Sequence, residues 1–285
     1  MGNQQLTDRQ RVRLAQLAYQ QWQVGDPLYL NHGRNFIGKV TRIIHQVDDL
    51  YLTVIVNHQQ QEVTVLFRGS TGIISGGHDA WVNQWLKTNF PVGSAILTQQ
   101  ADIPDQLVSA SATLNRLMGE YRGAHFWLYG HSLGSINAQY ALANCFFPQQ
   151  LANSYLFEGP NIYWLLSPDQ RKRALQIRCQ IFNYVDPRDI VTLGYLDEQH
   201  VIGLLRVVDS RLVAPIKQHL FGGYQYDRQN MILVNQGASA ELSRKRAMID
   251  RRLIKRAGQL LQMVDHRQNN QYNQPSHSGD RLFTD

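Results

Sequence analysis

The sequence predicts an α/β protein whose mainly parallel central sheet is flanked by helices. From about residue 125 onward, short apolar runs alternate with helix-periodic ones, the pattern of parallel strands joined by helical crossovers. Consecutive β-rich segments come before them and make the sheet a mixed one. With 43% apolar and 18% charged residues in 285, the chain has enough apolar material for a buried core and too little charge for a mainly disordered protein.

The elements follow in order. Thr7-Asp8-Arg9-Gln10 has capping-box spacing, and Val12, Ala15, Tyr19 and Trp22 recur at helical steps, so an amphipathic helix is expected over residues 8–23, packed across the sheet. Residues 36–44, 51–56 and 62–67 read as strands, the last written EVTVLF. A helix over 103–121 carries Leu107, Ala110, Leu114 and Met118 at steps of three or four. HFWLYG, residues 125–130, is a short buried strand. A helix over 133–146, an apolar stretch 154–157, a helix over 169–176 and strand-like runs at 177–185 and 201–208 complete the alternation.

Residues 239–264 form a long helical stretch rich in base: Arg244, Lys245, Arg246, Arg251, Arg252, Lys255 and Arg256. Its first reading is a solvated basic face, with Ile249, Leu253, Leu260 and Val264 turned to the core. Its second is peripheral contact with an anionic membrane surface. Residues 266–285 are polar and rich in Asn and Gln, as in a flexible tail. No repeat or domain boundary interrupts the rest, so residues 1–265 read as a single domain.

Lys and Arg exceed Asp and Glu, 28 to 22, for a net charge of +6. That excess is concentrated in the basic helix, and no nucleic-acid partner is expected. The cysteines are Cys145 and Cys179, too few for a disulfide framework, and both are expected to be small buried thiols. The N-terminus has no apolar signal core and no run reaches the ~20 residues of a bilayer span, so a cytoplasmic location is expected. There is no HExxH, no Cys/His cluster at ligand spacing and no phosphate loop, so neither metal nor organic cofactor is expected.

The strongest chemical signal is Gly130-His131-Ser132-Leu133-Gly134, a G-x-S-x-G pattern that follows a strand and opens a helix. In that setting a sharp turn projects the serine hydroxyl above the sheet, and the flanking glycines let the turn tighten. The Leu133 amide, at the helix start, then points to where an oxyanion would form.

A serine nucleophile needs a base held by an acid, here expected downstream. FNYVDPRDIV offers Asp186 and Asp189 just after a strand, and pattern alone leaves both open. Among His200, His219, His266 and His277, the first has the setting of an exposed turn residue and the last two adjoin or lie in the tail. His219 follows a strand and a loop among aromatic and glycine neighbours, and is the preferred base. Arg68-Gly69-Ser70, ending a strand, can supply the second oxyanion donor at Ser70.

LFRGS followed by Trp81 and Trp85, then YGHSLGS, then FEGPN at 157–161, then Asp189-Ile190-Val191, resembles the lipase class 3 family of α/β-hydrolases over residues 50–225. The resemblance implies an α/β-hydrolase fold, a triad of Ser132, Asp189 and His219, an oxyanion hole from Ser70 and Leu133, and hydrolysis of acyl esters or lipids without a cofactor. It also implies a lid after Ser70. Ile73, Ile74, Trp81, Val82, Trp85 and Leu86 would form its apolar face, unless they pack as a fixed helix over the pocket. Secreted members carry a leader and often disulfides, and have proline where this chain has Thr192. The sequence is more similar to intracellular bacterial-type members. The same triad would serve an acyltransferase or peptidase, and a hydrolase fold could also act as a lipid-surface binding module.

Overall fold

The computed structural model describes residues 2–70, 103–189, 191–192, 194–195 and 199–235. The expected lid with Trp81 and Trp85, the basic helix over 239–264, the polar tail, His266 and His277 lie outside the described residues.

The described residues build one eight-stranded sheet in which every strand lies beside its sequence neighbours: β1 (Pro27–Leu30), β2 (Asn35–His45), β3 (Tyr51–Asn57), β4 (Glu62–Phe67), β5 (His125–His131), β6 (Leu151–Phe157), β7 (Ile181–Val185) and β8 (Leu204–Val207). The pairings from β1 to β4 are antiparallel, because short turns join those strands. From β4 to β8 they are parallel. The crossovers carry helices α2 (Asp105–Glu120), α3 (Leu133–Ala143) and α4 (Pro168–Gln176), preceded in the chain by α1 (Asp8–Leu17) and followed by α5 (Pro215–His219).

Strictly sequential parallel strands with right-handed crossovers put their helices on one face. Leu107, Leu114 and Leu117 of α2, Ile136 of α3 and Ala174 of α4 accordingly share one buried cluster with Val63, Val65, Phe67, Phe126 and Leu128. The alternate residues of β4 and β5, Leu66, Trp127 and Tyr129, face the other way, with Tyr155 and Phe157 of β6. There they meet Val12, Leu14 and Ala15 of α1 together with Phe221, Tyr224 and Ile232. Both faces are covered, and the continuous apolar runs in β4 and β5 follow from that. The architecture is that of an α/β-hydrolase fold.

Several boundaries differ from the sequence reading. The first helix ends at Leu17 rather than residue 23, and the Trp22 indole N–H donates to the Leu17 carbonyl at 2.9 Å, satisfying one of the acceptors that a helix end leaves open. β1 was not expected: four residues beginning with Pro27 give too short a period to read, although Leu28 and Leu30 are buried and Tyr29 is exposed. The strand expected from 177 starts at Ile181, because residues 178–180 form a 3-10 turn. That turn corrects the expectation for Cys179, which is exposed, whereas Cys145 is buried. Among the described residues, no helix is long and apolar enough to cross a membrane.

Candidate active site

The strand register assembles the site at one edge of the sheet. Phe67 of β4 pairs with Gly130 of β5, His131 with Phe157 of β6, and Phe157 with Tyr184 of β7. Four segments therefore leave the sheet side by side at the C-terminal ends of parallel strands: Arg68-Gly69-Ser70, Ser132, Glu158-Gly159, and the loop from Asp186 to Asp189. Loops at this edge are free to carry chemistry because the strands behind them fix their origins.

Ser132 joins β5 directly to α3 with φ 56° and ψ −125°, backbone that an L-residue rarely adopts. The surroundings hold it there. The Ser132 N–H donates to the Phe157 carbonyl at 3.0 Å, and the Ser132 carbonyl accepts from Ser135 N–H at 2.9 Å. A Cβ on Gly130 would lie 2.6 Å from the Gly134 carbonyl oxygen, and one on Gly134 would collide with the backbone of Phe67. Both glycines of the G-x-S-x-G pattern are thus set by close approach of backbone. Gly69 sits so near that a Cβ there would lie 3.3 Å from the Ser132 Cβ, which brings the Arg68–Ser70 turn against the serine. The Ser70 hydroxyl is buried without a hydrogen-bond partner among the described residues. Leu133 opens α3, where a backbone N–H has no intrahelical acceptor.

The two candidate acids separate by geometry. Asp189 Oδ2 lies 2.6 Å from His219 Nδ1, with the two side chains 1% and 0% exposed, and its Oδ1 accepts the Val191 N–H at 3.0 Å. Burial alone would push the Asp189 carboxyl up, but the charge and hydrogen bond of His219, with the Val191 N–H, outweigh it and hold the group below its usual range. Asp186 is also buried but faces elsewhere. Its Oδ1 accepts from Ser210 Oγ at 2.7 Å and Arg188 N–H at 2.8 Å, and its Oδ2 from Gln218 Nε2 at 2.5 Å. Asp186 thereby holds the residue before His219.

His219 closes α5, its Nδ1 turned to Asp189, and its Nε2 is buried with no hydrogen-bond partner among the described residues. A carboxylate on Nδ1 selects the tautomer that leaves Nε2 as the acceptor. His200 lies apart from this group, its ring 4.7 Å from that of Trp164 and its carbonyl accepting from Asn161 Nδ2 at 2.7 Å.

Further residues join the site that the motif reading did not assign. His131, beside the serine, sets Nε2 2.8 Å from the His219 carbonyl oxygen and Nδ1 2.8 Å from the Tyr19 hydroxyl. A carbonyl can only accept, so Nε2 carries the proton and Tyr19 donates to Nδ1. Burial, then the neighbouring His219, lower His131 to about 3, so it stays neutral and adds no positive charge beside His219. Glu158 is fully buried at φ 50°, both of its oxygens within reach of the Asp186 N–H at 3.2 and 3.1 Å, and one also accepting from the Tyr224 hydroxyl. Its only sequence trace is a charged residue in an otherwise apolar strand end. A cavity of about 650 Å³ lies on the α1 side, lined by Arg9, Arg13, Leu30, Phe221 and Tyr224, and neither Ser132 nor His219 borders it.

Among the described residues no group of His, Cys, Asp and Glu has the arrangement of a metal site. No family model matches the chain. No curated protein matches it either. Solved structures do. A triacylglycerol lipase from Penicillium expansum is similar at 14% identity over 83% of this chain and 85% of that one, with a TM-score of 0.43. A mutant form of MDLA from Penicillium cyclopium is similar at 17% identity over 82% and 87%, with a TM-score of 0.47. A lipase from Yarrowia lipolytica is similar at 13% identity over 85% and 87%, with a TM-score of 0.42.

Proposed function

We propose that this protein is a serine hydrolase of carboxylic esters, acting on acyl esters or lipids through an acyl-enzyme. The observation that carries the proposal is the buried Asp189–His219 pair, its Nε2 without a hydrogen-bond partner among the described residues, in contact through the His219 carbonyl with His131, the neighbour of a serine held in strained backbone at a strand-to-helix turn.

In this reading His219 Nε2 takes the Ser132 Oγ proton as Oγ bonds to the ester carbonyl carbon. Asp189 keeps the ring oriented and stabilises the imidazolium. The carbonyl oxygen becomes an oxyanion that accepts from the Leu133 and Ser70 N–H groups, with the Ser70 hydroxyl as a further donor. The alcohol leaves with the proton from His219. Water then attacks the acyl-Ser132 ester, giving its proton to the same nitrogen, and the acid departs as Ser132 recovers its proton. Neither metal nor organic cofactor enters these steps. The ordered motifs from LFRGS to Asp-Ile-Val support an acyl ester or lipid as substrate over a peptide.

The test is labelling with a fluorophosphonate probe, followed by turnover of p-nitrophenyl esters of increasing acyl length. Wild-type protein is expected to label and hydrolyse, and Ser132→Ala to do neither while keeping its circular dichroism spectrum. Unchanged ester turnover in Ser132→Ala would end the proposal. An unlabelled wild type that nevertheless binds anionic liposomes would favour a lipid-surface binding module.

A further inference from the structure

Behind the Asp189–His219 pair lies a second carboxyl group for which ester hydrolysis, as written above, has no use. Glu158 leaves the end of β6 in left-handed backbone, φ 50°, which turns its side chain beneath the neighbouring acid loop rather than outward. It is 0% exposed. Its carboxyl oxygens receive the N–H of Asp186, and the Asp186 carbonyl in turn receives the N–H of Asp189 at 3.1 Å. From the other side comes the hydroxyl of Tyr224, five residues beyond His219. Glu158 therefore ties together the two segments whose relative position decides whether Asp189 meets His219.

Groups facing Glu158 are Asp186 and Asp189 from the acid loop and Tyr224 from the segment after α5, with His219 beyond Asp189. Burial first, then the charges of Asp189 and Asp186, hold the Glu158 carboxyl well above the usual carboxylate range.

We propose that Glu158 is a positioning residue for the hydrolysis: its buried carboxyl, held by the Asp186 N–H on one side and the Tyr224 hydroxyl on the other, clamps the acid loop to the His219 segment. The inference rests on the reading of Ser132, His219 and Asp189 as the reacting set. Glu158 touches no substrate and acts through Asp189. By fixing the loop from Asp186 to Asp189 it keeps Asp189 Oδ2 turned to the ring.

The experiment measures the rate of fluorophosphonate labelling against pH in the full chain, with thermal unfolding as the control for folding. Glu158→Gln keeps both functions, since its side-chain carbonyl oxygen can accept from the Asp186 N–H and the Tyr224 hydroxyl. It is expected to label within about threefold of wild type, with the acid limb of the profile unmoved. Glu158→Leu removes both functions. It is expected to label about 10- to 100-fold more slowly, the rate equivalent of one buried donor left unpaired. On an Asp189→Asn background, Glu158→Leu should add no further loss.

A folded Glu158→Leu that labels at the wild-type rate, a Glu158→Gln as slow as Asp189→Asn, or a Glu158→Leu loss that persists on Asp189→Asn each overturns the inference. If Glu158→Leu does not fold, Tyr224→Phe takes its place. It keeps the ring and removes the hydroxyl that orients Glu158, and an unslowed rate there overturns the inference in the same way. The parent reading fails separately. It falls if wild-type protein does not label or if Ser132→Ala labels equally, whatever Glu158 does.

Discussion

At the scale of single residues, the site is a set of side chains whose protonation is decided by burial and by their nearest neighbours. His131 and His219 lie with ring centroids 4.7 Å apart, yet burial keeps His131 neutral while His219 has a carboxylate partner. Asp189→Asn would leave the ring in place but present an amide to Nδ1, which favours the wrong tautomer. Ester turnover is expected to fall by about 10⁴-fold, and Asp186→Asn by far less, in initial-rate assays. His219→Ala should abolish turnover and His200→Ala should not, and a collapse in the second alone would overturn the choice of base. Glu158 gives a prediction about stability. Its carboxyl is raised in the folded protein, so above the ordinary carboxylate value the folded state binds the extra proton and stability falls as pH rises, until the folded group itself ionises. Glu158→Gln removes that penalty. Its stability relative to wild type should rise as the pH increases above the ordinary carboxylate range, by up to about 1.4 kcal/mol per pH unit, as read by urea denaturation.

At the scale of elements, the β5–α3 junction is where sequence pattern and backbone geometry coincide. Gly130 and Gly134 were legible in the motif, and the structure gives the reason in backbone oxygens that leave no space for a Cβ. Gly130→Ala must push the start of α3 away from β5. It is expected to destabilise by about 1–3 kcal/mol in urea denaturation and to slow labelling further by displacing Ser132. α3 tolerates little adjustment, since all 11 of its residues are buried. The strands β2 to β7 and the helices α2 to α4 were legible because each carries a clear period or an uninterrupted apolar run. β1 and the end of α1 were not, because a four-residue edge strand has too few positions to show alternation, and the Trp22 indole that meets Leu17 does so through a turn.

At the scale of the whole molecule, a sheet of eight strands with both faces covered leaves no seam along which the described residues could separate. α1 is as much part of this as the crossover helices, for it covers β4, β5 and β6 on the face opposite α3, and the turn after it brings Tyr19 to His131. Unfolding in urea should therefore be one transition, with tryptophan fluorescence and loss of labelling at the same midpoint. Two separated transitions would show more than one folding unit. Leu14→Ala, in the middle of the α1 face and 0% exposed, should lower that single midpoint by the equivalent of about 2–5 kcal/mol.

The sequence by itself determined the α/β class, the strands from β2 onward and the serine turn, because hydrophobic period and glycine placement act between residues close in the chain. It also brought the acid to two candidates, Asp186 and Asp189, and favoured His219 among four histidines. The tertiary structure decided which acid meets that histidine, since the two aspartates are three residues apart and differ in direction alone: Asp189 toward His219, Asp186 toward Ser210 and Gln218. It also decided the places of Tyr19, His131, Glu158 and Tyr224. Their partners are many residues away along the chain, and a hydrogen bond between such groups is set by how the sheet stacks its loop ends, which no local pattern encodes.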